Sequence, residues 1–337
     1  MFPQERCPAP AADYSGRVSP RARTALIVAA LAAVAAVAVA GVAVLTAEEV
    51  ESPAASAEPQ PREGFPPLAL SFGLRDDAEA RDLQRAAELY EEGKRGEAAR
   101  IFARHDSLEA KLGAAFAAWP ESADRVEQLG ALYPRSSLVQ LHVGLARFWA
   151  GVGGAASAWR EARDVEPDTP YAVRAGDYVH GREFAPGLPV FTPSFSYRIE
   201  GETLAEQLEA LEADRSVRGR LLHGVALQRL GRPVSARRAF AEALALDPDD
   251  VDALVADAVG RYEKNDPSRA FSRLGPLSQR FPRAATVRFH LGLLLLWQRD
   301  VDEAKRQLRL ARAAEPGSLI AREAGRFLDQ LEQVGTG

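Results

Sequence analysis

Apolar side chains along most of the chain fall at helical spacing. Leu83, Ala86, Ala87 and Tyr90 form one stripe, and Ala98, Ile101 and Phe102 the next, with Gly93 and Gly96 between them. Residues three or four apart share a helix face, so each stripe predicts an amphipathic helix with one buried side. The pattern starts near Ala78 and continues through shorter stripes such as Val126, Leu129 and Leu132. Trp119-Pro120 predicts a helix end, because the residue before proline disfavours the α conformation. Thr169-Pro170 reads as an N-cap followed by proline in the first turn. Further on, Leu254, Val255, Tyr262, Ala270, Leu274 and Leu277 point inward, and a last helix from Leu319 carries Arg322, Glu323, Arg326, Asp329 and Glu332 on its polar face.

The stripes repeat. Pro248, Pro282 and Pro316 recur every 34 residues, as do Ala236, Ala270 and Ala304, and Gly224 and Gly292 stand two such steps apart. Small residues at fixed points of a 34-residue period predict stacked helix–turn–helix units. A small residue lets paired helices approach, and an aromatic beside it fills the gap to the neighbour. Gly224, Ala236, Phe240, Ala243 and Pro248 follow this order, and so do Gly144, Ala155, Trp159, Ala162 and Pro167. These residues resemble tetratricopeptide (TPR) repeats. The likeness is strongest at 217–317 and 137–167, and weaker at 79–102 and 103–134. It implies an all-α, TPR-like helical-repeat solenoid.

The solenoid comes in two blocks. Tyr133-Pro134-Arg135 echoes Phe281-Pro282-Arg283, and His142-Val143-Gly144-Leu145 echoes His290-Leu291-Gly292-Leu293. Trp149 echoes Trp297, and Ala175-Gly176-Asp177-Tyr178 echoes Ala324-Gly325-Arg326-Phe327. A three-repeat unit with its own capping helix is thus duplicated, over residues 68–184 and 217–337. Between the blocks, residues 185–216 open with three prolines and three aromatics, which excludes a helix there. We expect an extended strap whose Phe191, Phe195 and Tyr197 plug the junction of the blocks, then a short helix at 203–213.

The N-terminus follows other rules. Residues 1–24 are polar, with Arg6, Arg17, Arg21 and Arg23, and are expected to be disordered. From Ala25 to Leu45 no residue is charged or polar. At 1.5 Å per residue this run reaches about 31 Å, enough for a transmembrane helix. Arginines precede it and Glu48, Glu49 and Glu51 follow, so the N-terminus is expected inside the cytoplasmic membrane and the repeats outside. Secretion after signal cleavage is the alternative. Residues 46–67 read as a flexible linker holding the folded part away from the membrane.

Composition narrows the chemistry. Net charge is −5, which does not indicate a nucleic-acid partner. Cys7 is the only cysteine, so no intrachain disulfide or multi-cysteine metal site can form. Four of 42 basic residues are lysine, a bias that fits a GC-rich bacterial genome. His142, His223 and His290 sit near corresponding points of three first helices. Recurrence suggests packing and one hydrogen bond per repeat, and the spacing is too wide for a shared metal. Gly151 to Gly154 lacks the lysine of a phosphate loop and reads as an inter-helix turn. No catalytic residue, cofactor or metal is expected, and the chain is not expected to be an enzyme.

The TPR resemblance implies a protein or peptide partner in a groove lined by the first helix of each repeat. Carried over by position, that groove includes Tyr90, Phe148, Trp149, Gln228, Arg229, Tyr262, Glu263, Leu296 and Trp297; for Trp149 and Trp297 the alternative is packing against the next repeat or the strap. Two functions are expected. One is a membrane-anchored scaffold for other proteins of the bacterial cell envelope. The other is an accessory or chaperone subunit for envelope protein biogenesis, similar to the TPR modules of cytochrome c maturation.

Overall fold

The computed structural model describes residues 60–335, other than 198, 200 and 202. The expected N-terminal tail, the apolar run at 25–45 and the linker up to residue 59 lie outside the described residues. Among those described, no helix is long and apolar enough to cross a membrane.

The described residues form fifteen helices and no strand. The first block pairs α1 (Ala78–Glu91) with α2 (Arg95–Phe102), α3 (Leu108–Ala117) with α4 (Ala123–Leu132), and α5 (Ser137–Ala150) with α6 (Ala155–Val165). The helix α7 (Pro170–His180) closes it. A short α8 (Leu204–Ala213) leads into the second block. There α9 (Val217–Arg229) pairs with α10 (Pro233–Leu246), α11 (Val251–Gly260) with α12 (Ser268–Arg280), and α13 (Ala285–Trp297) with α14 (Val301–Ala314). The final helix is α15 (Leu319–Gly335).

Each block has two layers. First helices stack on one another, α1 on α3 on α5 on α7, and α9 on α11 on α13 on α15. The second helices form the other layer. Polar side chains at the helix starts fix the turns. Asp77, Ser107, Ser136, Thr169, Ser216 and Asp250 each accept a main-chain N–H of the first turn of their helix. A cap of this kind contributes about 1 kcal/mol. Thr203 and Glu206 close α8 with a reciprocal capping box.

Glycine sets the distance between layers. A Cβ on Gly144 would stand 2.3 Å from Trp159, and one on Gly224 would stand 2.2 Å from the Phe240 ring. Phe240 is also met by Gly260 of the next first helix. The small residue and the aromatic therefore interlock as the spacing predicts. Each block has its own core, one including Leu83, Phe102, Phe116 and Leu141, the other Leu221, Phe240, Phe289 and Leu308.

The structure departs from the expected boundaries at residue 60. Residues 60–67 are not a free linker. Phe65, Leu68 and Ala69 pack into the first core, so the block begins with an extended segment well before α1. The segment at 185–197 is extended, as expected. Its aromatics do not plug the junction of the blocks: Phe191 is buried in the second core with Ala185, Leu188 and Phe195 pack against that core, and only the start of the segment, at Ala185 and Gly187, is bonded at the junction.

Candidate functional site: two inner grooves filled by straps

The inner faces of both blocks hold an extended strap, residues 60–74 in the first and 185–197 in the second. In the first, Arg62 donates its main-chain N–H to the Trp149 carbonyl at 2.8 Å. The Tyr90 hydroxyl donates to the Pro66 carbonyl at 2.5 Å. Ala69 donates its N–H to His142 Nε2 at 3.2 Å. The Tyr171 hydroxyl accepts from the Ser71 N–H at 3.2 Å and donates to the Ser71 carbonyl at 3.0 Å.

The second strap repeats this in register. Ala185 donates to the Trp297 carbonyl at 3.0 Å. Gln228 donates to the Pro189 carbonyl at 3.3 Å and accepts from the Phe191 N–H at 2.9 Å. Thr192 donates to His290 Nε2 at 2.9 Å. Arg62, Pro66 and Ala69 each stand 123 residues before Ala185, Pro189 and Thr192. Their partners Trp149 and His142 stand 148 residues before Trp297 and His290. The difference of 25 residues is the segment containing α8, which the first block lacks.

Both histidines work the same way. Nδ1 of His142 donates to the Leu138 carbonyl at 2.7 Å, and Nδ1 of His290 to the Thr286 carbonyl at 2.7 Å. This i to i−4 bond assigns the proton to Nδ1 and leaves Nε2 as an acceptor for the strap. Both rings are fully buried, and burial lowers each pKa to about 4. Aromatic contacts complete the seats. Phe116 meets His142 edge-on at 5.0 Å, and Phe191 stacks on His290 at 5.0 Å while meeting Phe240 edge-on at 5.7 Å. The Arg62 guanidinium lies 3.8 Å from the centre of the Phe148 ring, and Phe65 packs edge-on against Tyr90.

The sequence-derived groove residues divide accordingly. Tyr90, Phe148, Trp149, Gln228 and Trp297 all touch a strap of their own chain, Trp297 also through its indole N–H to the Gly187 carbonyl at 3.2 Å. Leu296 is buried in the second core. Arg229, Tyr262 and Glu263 do not join that set. They line a cleft where the blocks meet, made of two adjoining cavities of about 460 and 430 Å³. Glu263 pairs with Arg237 and Arg269 there, and the buried Tyr262 hydroxyl has no hydrogen-bond partner. Sequence reasoning did not find the strap at 60–74, nor Tyr171 and Asp252, which hold Ser71 and Ser194. His223 parts company with the other two histidines: it is half-buried and its Nδ1 is unpartnered. Among the described residues, no three metal-ligating side chains come together.

The junction is held by polar contacts between blocks. Lys264 is buried, bonds the Asp177 carboxylate and donates to the Ala185 carbonyl at 2.7 Å. Asp168 accepts the N–H groups of Val234 and Ser235 at 2.8 and 2.9 Å, capping α10 from the other block.

No protein-family model matches the chain, and no curated protein does. Solved structures do show similarity. One is YrrB, a TPR protein with an unusual peptide-binding site, at 13% identity and a TM-score of 0.29, covering 60% of this chain and 99% of that one. A second is yeast Tom70, at 16% identity and a TM-score of 0.30, covering 75% and 48%. A third is the APC/C hetero-tetramer Cut9-Hcn1, at 14% identity and a TM-score of 0.27, covering 78% and 57%. The chain spans about half the length of the last two.

Proposed function

We propose that the chain is a protein-interaction scaffold, anchored by residues 25–45 in the cytoplasmic membrane of a bacterium and displaying its repeats outside. The observation that carries the reading is the matched clamp. Two inner faces of one solenoid bind an extended polypeptide through the same main-chain groups, so this surface is built to hold polypeptide. No reaction, cofactor or metal is assigned. The same clamp favours a second reading, an accessory or chaperone module for envelope protein biogenesis. Most of its bonds go to main-chain N–H and C=O, which every unfolded segment offers.

Photocrosslinking from the full chain in cells separates the two. Crosslinkers replace the exposed Leu132 and Leu246, and Arg229 at the junction cleft. A few discrete partners mark a scaffold, and a heterogeneous set of unfolded exported chains marks the chaperone module. Absence of adducts from all three positions rejects both. Topology is read with a membrane-impermeant maleimide. A chain with Cys7→Ser and Leu310→Cys is labelled from outside under the proposed orientation, and the wild-type Cys7 is not. The reverse result overturns the anchoring.

A further inference from the structure

The two straps are two copies of one ligand. Aligned through their shared clamps, they read Gly64-Phe65-Pro66-x-Leu68-x-x-Ser71-Phe72 and Gly187-Leu188-Pro189-x-Phe191-x-x-Ser194-Phe195. Gly64 and Gly187 both take positive φ, 84° and 72°, where a side chain would be strained. The proline needs no donor, because the groove takes only its carbonyl. Leu68 and Phe191 are large apolar side chains buried at matching positions. The residue after each donates its N–H to the histidine. Phe and Leu exchange places between the copies at two positions, so each groove reads apolar bulk there and main chain elsewhere.

The two straps are not held equally. The second is joined to helices at both ends, and Lys264 and Asp177 add bonds to Ala185 and Gly187. Gln228 grips it twice, where Tyr90 grips the first strap once. Among the described residues no lysine does for the first strap what Lys264 does for the second, and Arg62 is exposed. Its connection to α1 is short, residues 75–77, with Gly73 at φ 55° beside it.

We infer that residues 60–74 are a resident ligand of the first groove, which exchanges with an extended partner segment of the form Gly-apolar-Pro-x-apolar-x-x-Ser-Phe. This rests on the scaffold reading and names the class of partner that the first groove accepts. A tethered strap acts at an effective concentration of millimolar order. The groove therefore stays closed to weak or unmatched peptides and opens to a matched segment that is itself tethered or locally concentrated.

The test uses the full chain and two synthetic peptides, fluorescein-labelled residues 60–74 and unlabelled residues 184–197. Ala69→Pro removes the N–H that His142 accepts and weakens the resident strap. We expect the labelled peptide to bind this variant at least tenfold more tightly than wild type, and the 184–197 peptide, but not its scrambled form, to displace it. Arg62→Pro, which removes the bond to Trp149, serves as the second variant if Ala69→Pro fails to fold. Equal or absent binding to a variant with native helical circular dichroism and a cooperative melt overturns the proposal. So does equal displacement by the scrambled peptide. Neither failure touches the scaffold reading, because the crosslinking positions lie outside the straps.

Discussion

His142 accepts the main-chain N–H of Ala69 only while its Nε2 is unprotonated. His290 stands in the same relation to Thr192. Burial lowers both folded-state pKa values to about 4, against an ordinary value of 6.5. Above pH 6.5 neither the folded nor the unfolded state carries the proton, and the pair imposes no penalty. As pH falls through 6.5 the unfolded chain takes up protons that the folded chain refuses, so stability declines until about pH 4. The loss over that window is on the order of 3 kcal/mol per histidine. Urea midpoints should therefore drop between pH 7.5 and pH 5. The His142→Gln/His290→Gln chain, which keeps an acceptor but does not titrate, should show a flatter profile. An unchanged slope in that variant would exclude these two rings as the source.

The glycines of the repeat pattern differ sharply in what surrounds them. Gly144→Ala and Gly224→Ala place a methyl group 2.3 Å from the Trp159 indole and 2.2 Å from the Phe240 ring, both of them buried. Overpacking of this kind costs roughly 1–3 kcal/mol. Gly176 lies within α7 with nothing inside 4 Å of an added Cβ. Gly176→Ala should stabilise the chain by about 0.5–1 kcal/mol, because alanine loses less backbone entropy in a helix. Thermal unfolding of the three single variants checks the opposite signs. A destabilised Gly176→Ala would contradict the open space beside it.

The helices and their pairing were legible because their signals are local. A stripe such as Leu83, Ala86 and Tyr90, a cap such as Thr169 and a glycine opposite an aromatic all act within one or two helices. The duplication was legible too, from His142 with His290 and Trp149 with Trp297. The first strap was not, for a physical reason. An extended segment bound through its main chain needs no apolar period, and its partners lie 24, 73 and 100 residues away at Tyr90, His142 and Tyr171. Two signals for it were present. Gly64-Phe65-Pro66 matches Gly187-Leu188-Pro189, and α5 is apolar over most of its surface, with Leu138, Val139, Leu141, Val143, Leu145 and Ala146 all buried. A helix of that composition is covered on most sides, here by α6, its neighbours and the first strap. The resemblance implies an open groove at Tyr90, Trp149 and Trp297; in this chain a strap occupies it, and Trp297 packs on the strap as its alternative reading expects.

Lys264 and Asp177 join the capping helix of the first block to the second. The lysine side chain is 6% exposed and the aspartate 23%. Burial pushes the Asp177 carboxyl up, against the pull of Lys264 and the N–H of Gly187. Lys264→Met strands that carboxylate and frees the Ala185 carbonyl. Breaking one side of a buried pair costs about 3–5 kcal/mol. Lys264→Met/Asp177→Asn removes the stranded charge and should recover part of the loss. Urea denaturation of the two variants measures this, and no recovery in the double variant would show that the pair contributes through packing alone.

Asp168 caps α10 across the block boundary, through the N–H groups of Val234 and Ser235 and the Ser235 hydroxyl. A carboxylate at a helix N-terminus satisfies free donors and meets the positive end of the helix dipole, so Asp168→Ala should cost about 1–2 kcal/mol. Its wider effect is on coupling. Repeat arrays unfold as units joined by nearest-neighbour interfaces, and a weakened interface lets the parts melt separately. The tryptophans report on this directly. Trp119, Trp149 and Trp159 belong to the first block and Trp297 to the second, so fluorescence weighs the first block while far-ultraviolet circular dichroism weighs both. In the wild type the two transitions should coincide. In Asp168→Ala/Lys264→Met they should separate, with the blocks melting at different urea concentrations. Coincident transitions in that double variant would mean that the blocks are coupled elsewhere, with the Asp177 bond to Gly187 and the Arg163 and His180 contacts to Asn265 as further links to remove.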